Sequence, residues 1–158
     1  MILESVLMNI PFLHSDCTSG DVVDLIEDGK EAPSSQNLYA GSVYYEICLH
    51  RQRMKIGECD LRIGMNDELY YAGNIGYRIF DGWRGHHYAY EACLLLFRIA
   101  KEKYHMKLLI ITCSPENTAS KRTLEKLGGK LEETVNVPEW HWLYKRGERI
   151  KEIYSFKL

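Results

Sequence analysis

Apolar and polar positions alternate over residues 43–50. Val43, Tyr45, Ile47 and Leu49 fall on one side, and Tyr44, Glu46, Cys48 and His50 on the other. A two-residue period predicts a half-buried strand. After a polar break at 51–55, a second strand is expected over about 56–63, with Cys59, Leu61 and Ile63 on one face and Gly57 marking a bulge. Residues 64–68, GMNDE, have the composition of a turn. A third strand follows over about 71–80, with Ile75, Tyr77 and Ile79 on one face. Three strands with short links make an antiparallel meander. Upstream, residues 5–8 suggest a short strand. Thr18 or Ser19 is a cap for a short helix through Val22, Val23, Leu25 and Ile26, and residues 29–36, GKEAPSSQ, read as a surface loop.

Beyond the turn at Asp81-Gly82 the period lengthens. Ala89, Ala92, Cys93, Leu96, Ile99 and Ala100 keep the spacing of one helix face, which predicts a helix over about 85–104. Leu94, Leu95 and Phe97 widen its apolar arc, so it is expected to be buried on more than one side. Residues 108–112, LLIIT, form an apolar run of strand length, as in a central strand covered on both faces. Asn117 is a good N-cap for a second helix over 118–127, which Gly128-Gly129 ends. Residues 130–137 and 150–158 read as a closing pair of strands. The order β-α-β-β-β-α-β-α-β-β predicts an α/β (α+β) fold: a mixed, mostly antiparallel sheet with a central βαβ crossover.

Composition narrows the function classes. With 158 residues, 46% hydrophobic and 27% charged, the chain is expected to form one globular domain spanning residues 1–158. A net charge of −2 argues against a nucleic-acid partner, whose affinity rests on many phosphate-neutralising cations. No apolar run reaches the length of about 18 residues that marks a membrane helix, so no membrane partner is expected. The N-terminus lacks a basic segment and carries Glu4, unlike a signal peptide. Cys17, Cys48, Cys59, Cys93 and Cys113 are scattered with no C-x-x-C spacing, so they read as reduced core residues of a cytoplasmic protein, with no metal site.

Two stretches carry chemistry. At residues 79–89 a strand ends, a tight loop follows and a helix begins. Unpaired N–H groups and the dipole at a helix start favour an anion. Gly85 permits close backbone approach and Arg84 adds positive charge, so the segment reads as a diphosphate cradle. At Asn117 and Ser120 a second helix opens directly after a buried strand. Two helix starts at the carboxyl ends of adjacent strands would flank one crevice.

Together these stretches resemble the GNAT N-acetyltransferases, most closely the branch that acetylates N-terminal amines of ribosomal proteins. The acetyl-CoA loop of that family, Arg/Gln-x-x-Gly-x-Gly/Ala, has its counterpart in Arg84-Gly85-His86-His87-Tyr88-Ala89. Asn-x-x-Ser followed by Leu-Glu-Lys-Leu-Gly corresponds to Asn117, Ser120 and residues 124–128. Ile75-Gly76-Tyr77 and Tyr90-Glu91-Ala92 also fit, and the resemblance is strong over about residues 71–131.

The resemblance implies an enzyme that moves the acetyl group of acetyl-CoA directly to a primary amine. Ile79 backbone would pair with pantetheine, the N–H groups of Arg84, Gly85, His86, His87, Tyr88 and Ala89 would hold the pyrophosphate, and Asn117 would bond the pantetheine arm or cap its helix. Ser120 would donate to the leaving thiolate, a role a bound water could equally fill. Lys121, Arg122 and Lys126 form a solvated helix face, one member of which would meet a CoA phosphate. Glu46, Glu58 and Tyr77 are candidates for the base. Trp140, Trp142, Tyr144 and Tyr154 read as core and pocket wall. His86 and His87 read as solvated or packed side chains.

Two positions depart from the family pattern. His87 stands where the pattern has glycine, at a position expected to take the helical φ of a first turn. Leu124 stands where many members carry a tyrosine acid. These departures motivate the alternative of a non-catalytic CoA-binding sensor on the same fold. The acceptor amine is open among a protein N-terminus, a polyamine and an aminoglycoside. An edge strand such as the last is a candidate surface for a homodimer.

Overall fold

Five antiparallel strands succeed one another across the first sheet: β1 (Cys17–Ser19), β2 (Val23–Glu31), β3 (Ser42–Leu49), β4 (Lys55–Arg62) and β5 (Ile75–Ile79). The computed structural model describes residues 16–33 and 41–158, so the strand expected over 5–8 lies outside the described residues. Alternation turns Val43, Tyr45 and Ile47 of β3 to the core, with Cys59 and Leu61 of β4 and Ile75 and Ile79 of β5. The bulge is real. Ile47 pairs with Gly57 and Cys48 with Lys55, so Ile56 is the extra residue. A Cβ on Gly57 would lie 2.4 Å from the Arg78 carbonyl oxygen, too close for any side chain.

The short helix expected through residues 22–26 is instead the start of β2, and β2 continues through Gly29 to Glu31, where a loop was expected. Val23 and Leu25 alternate into the core while Asp24 points the other way, to His50 Nδ1 at 2.8 Å. The full-length pairing of β2 with β3 outweighs the local helix-like spacing. The turn expected at 64–68 and the start of the third strand are also corrected. Residues Asp67–Ala72 form helix α1, capped by Asn66, whose Oδ1 accepts from the Leu69 N–H at 2.8 Å. Arg62 closes its other end, donating through Nη1 to the Ala72 carbonyl at 2.9 Å.

Helix α2 (Tyr88–Glu102) lies across the first sheet, burying Ala92, Cys93, Leu95, Leu96, Ile99 and Ala100, while Leu94 is exposed. Strand β6 (Leu108–Cys113), helix α3 (Thr118–Lys126), strand β7 (Lys130–Asn136), the one-turn helix α4 (Trp142–Lys145) and strand β8 (Ile150–Lys157) complete the chain. The last three strands form a second sheet in the order β6-β8-β7. The final strand is therefore central and offers no free edge; the free edge beside it is that of β7.

The crossover β5-α2-β6 thus joins two sheets, and Asn74 holds them together. Fully buried, it donates from its backbone N–H to the Ile110 carbonyl at 2.6 Å. Its Oδ1 accepts from the Ile110 N–H at 2.8 Å, and its Nδ2 donates to the carbonyls of Arg62 at 2.9 Å and Gly64 at 2.7 Å. β5 and β6 share no ladder, so a gap lies between these two strands.

Candidate active site

A cleft of about 520 Å³ opens between the end of β5, the loop before α2 and the first turns of α2 and α3. Among its lining residues are Ile79, Arg84, Gly85, His87, Tyr88 and Ala89 on one side, and Asn117 and Ser120 on the other. The two helix starts anticipated from the sequence therefore do face one space. Of the expected cofactor residues only His86 is absent from the lining; its ring lies against Tyr88 with centroids 5.4 Å apart.

The loop is built to leave donors open. Phe80 N–H bonds the Ile56 carbonyl, and Asp81–Trp83 make one 3-10 turn. The backbone N–H groups from Gly85 to Tyr90 find no acceptor among the described residues, and no side chain caps α2. Gly85 sits at φ +86° with no atom within 4 Å of where a Cβ would stand, so the backbone there is open to a ligand. Such a row of N–H groups at a helix start attracts an anion. His87 departs from expectation: its φ is +62° and its ψ +20°, left-handed and not helical. Glycine suits that conformation, so a histidine there stores strain.

Four cations line the cleft among the described residues, Arg78, Arg84, Arg122 and Lys126. Arg84 reaches back, its Nε donating to the Ile79 carbonyl at 3.1 Å and its Nη2 meeting Asp81 Oδ1 at 3.1 Å. The Ile79 carbonyl thus already accepts one bond, with its second lone pair available. On α3, Arg122 and Lys126 line the cleft, and the Lys126 ammonium stands 4.2 Å from the Tyr90 ring centroid. Lys121 turns away instead, to Glu152 Oε1 at 3.0 Å.

At the base of the cleft Tyr77 meets Ser120. Tyr77 is on the core-facing side of β5, and its hydroxyl donates to Ser120 Oγ at 3.2 Å. Burial pushes the Tyr77 phenol up to about 12, against the opposing pull of its bond to Ser120, so it stays protonated near neutral pH. A base role for it is therefore unfavourable. Asn117 caps α3, its Oδ1 accepting from the Ser120 N–H at 3.1 Å. Leu124 is fully buried in the core.

Other expected site residues lie elsewhere. Glu46 and Glu58 share Lys55, at 3.1 and 3.0 Å, and neither lines the cleft. The aromatic quartet divides and contributes nothing to the cleft wall. Trp140 is exposed, Trp142 Nε1 donates to Glu68 at 2.6 Å, Arg149 covers Tyr144, and Tyr154 is buried against Glu152. Cys48, Cys59, Cys93 and Cys113 are buried as expected, whereas Cys17, expected in the core, is exposed on the short first strand; burial pushes the Cys93 thiol up to about 12 and that of Cys113 to about 11. Such thiols are poor nucleophiles.

The cleft fits a long anionic cofactor. Unpartnered N–H groups and cations stand at its mouth, and a paired hydroxyl and tyrosine at its base. The sequence profile of the acetyltransferase (GNAT) domain matches residues 14–130. No curated protein matches the chain in sequence. Among solved structures, a GNAT-family acetyltransferase from Bacillus anthracis matches at 22% identity with a TM-score of 0.58, over 72% of this chain and 65% of that one. The ribosomal L7/L12 alpha-N-protein acetyltransferase RimL, in apo form, gives a TM-score of 0.65 at 14% identity, over 91% of this chain and 95% of that one. Its complex with coenzyme A gives 0.58 at 18%, over 74% and 62%. The chain thus spans just under two thirds of the Bacillus anthracis protein, and these likenesses establish the fold. The profile covers most of the chain, including β5, the loop, α2, β6 and α3 that build the cleft, and the chain belongs to the GNAT acetyltransferase family.

Proposed function

We propose that the cleft binds acetyl-CoA and that the protein acetylates a primary amine by direct transfer. The observation that carries this reading is the uncapped start of α2, whose open N–H groups face the same cleft as Ser120. In this reading the open N–H groups from Gly85 to Ala89 hold the pyrophosphate, while the Arg84 N–H, also expected in that row, is bonded to the Asp81 carbonyl at 3.4 Å. Arg122 and Lys126 line the same cleft and serve the phosphates. The Ile79 backbone meets the pantetheine arm. Asn117 spends its oxygen on the helix cap and keeps its Nδ2 for the same arm.

Bound acetyl-CoA supplies the acetyl group: the amine nitrogen bonds the acetyl carbon, the carbon–sulfur bond breaks, and a thiol is released while the amine gives up one proton. Ser120 is the hydrogen-bond donor to the leaving sulfur. Direct transfer is favoured over a covalent cysteine because the described cysteines near the cleft, Cys93 and Cys113, are buried with raised thiols. Holding both substrates in one crevice supplies orientation.

An N-terminal amine is the acceptor we favour, supported by the Asn117, Ser120 and 75–77 motifs and by the likeness in fold to RimL. The test is a panel of amines (peptides with free N-termini, polyamines and an aminoglycoside) assayed by release of free thiol from acetyl-CoA. Turnover confined to peptides with free N-termini is expected. Turnover on polyamines alone would overturn the acceptor class. CoA binding without turnover on any amine would favour the sensor.

A further inference from the structure

We infer that Tyr77 is the positioning residue for Ser120: its hydroxyl donates into Ser120 Oγ, holds the serine rotamer, and leaves the serine's own hydrogen to point into the cleft. The inference rests on the reading of Ser120 as donor to the leaving sulfur.

Two elements anchor this serine from opposite sides of the gap. Its backbone N–H is tied within α3 to Asn117 Oδ1 at 3.1 Å, and its side chain is tied across to β5 by Tyr77 at 3.2 Å. A serine hydroxyl has one hydrogen to give and two lone pairs. Tyr77 occupies a lone pair, so the hydrogen is not consumed by the pair. Left to itself, a helical hydroxyl turns back to the preceding turn. Thr123, one turn on in the same helix, does so, donating to the Ala119 carbonyl at 3.1 Å. Ser120 makes no such bond among the described residues, and both it and Tyr77 line the cleft. A hydroxyl that accepts a hydrogen bond also becomes a better donor. Tyr77 keeps its proton throughout: it orients the serine and does not itself touch the sulfur.

The test reads the sulfur directly. CoA is bound to the protein, and its thiol is titrated by ultraviolet thiolate absorbance, with the desulfo-CoA complex subtracted to remove the cysteines. A donor at Ser120 stabilises the bound thiolate, so Ser120→Ala should raise the thiol pKa by about one unit. Tyr77→Phe keeps the ring and removes the hydroxyl. It should raise the pKa most of the way to the Ser120→Ala value, and the double variant should match Ser120→Ala alone. With the peptide acceptor, kcat should fall about tenfold while KM for acetyl-CoA stays within about twofold.

CoA affinity and melting temperature close to wild type would show that Tyr77→Phe is folded. If that variant titrates like wild type, or if its effect adds to that of Ser120→Ala, the positioning role is overturned. If Ser120→Ala itself leaves the thiol unchanged, the reading of Ser120 falls and the inference falls with it.

Discussion

His87 carries the most backbone tension near the cleft. At φ +62° it adopts a conformation that costs an L-residue about 1 kcal/mol or more, at the position where the family pattern has glycine. His87→Gly removes that strain but loosens the unfolded chain, so stability in urea should rise by up to about 1 kcal/mol or stay level. CoA affinity should hold or improve. A tenfold loss, about 1.4 kcal/mol, would mean that the imidazole itself holds the phosphates. Asp24 makes a second case at this scale. Burial works against its ionisation, but hydrogen bonds from His50 and the Arg51 N–H outweigh it and keep the carboxyl below its usual value of 3.8. A lowered folded pKa gives stability that is complete above the unfolded value and is lost as pH falls through the folded one. Asp24→Asn should therefore flatten the decline of stability below about pH 4, read from urea midpoints against pH. An unchanged acid profile would contradict that account.

Elements differ in how plainly the sequence announces them. Helix α2 and strand β6 show through because each is long and regular in its own period. Helix α3 shows through its cap, Asn117, and its terminal glycines. Helix α1 does not, since six residues hold too few turns to display a period. Helix α4 is capped by His141, whose Nδ1 accepts from the Leu143 N–H, a cap no propensity would suggest. β2 was hidden by apolar spacing that also fits a helix turn, and only pairing with β3 decides it. In the cleft, the Arg84–Ala89 loop and Asn117 were legible because a contiguous motif encodes them. The Tyr77–Ser120 contact was not, since 43 residues separate its partners. Asn74 was silent for the same reason, although it clasps the two sheets. Asn74→Ala strands the buried Ile110 N–H and removes two further bonds, so unfolding in urea should become easier by about 2–4 kcal/mol. A loss under about 0.5 kcal/mol would show that the sheets hold together without it.

For the molecule as a whole, the net charge of −2 conceals a local excess of positive charge. Arg84, Arg122 and Lys126 gather at one cleft, beside a helix start with open N–H groups. Arg122→Glu combined with Lys126→Glu should weaken CoA binding about tenfold or more, and the wild-type affinity should fall as salt rises. A double variant that binds CoA as wild type would remove both cations from the account. Among the described residues no helix is long and apolar enough to cross a membrane. The most direct test of the central claim is isothermal titration of the whole protein with acetyl-CoA and with CoA. One site per chain is predicted, with ATP and NAD bound far more weakly. A folded protein that gives no binding heat with either thioester or thiol, at any temperature tried, would contradict it.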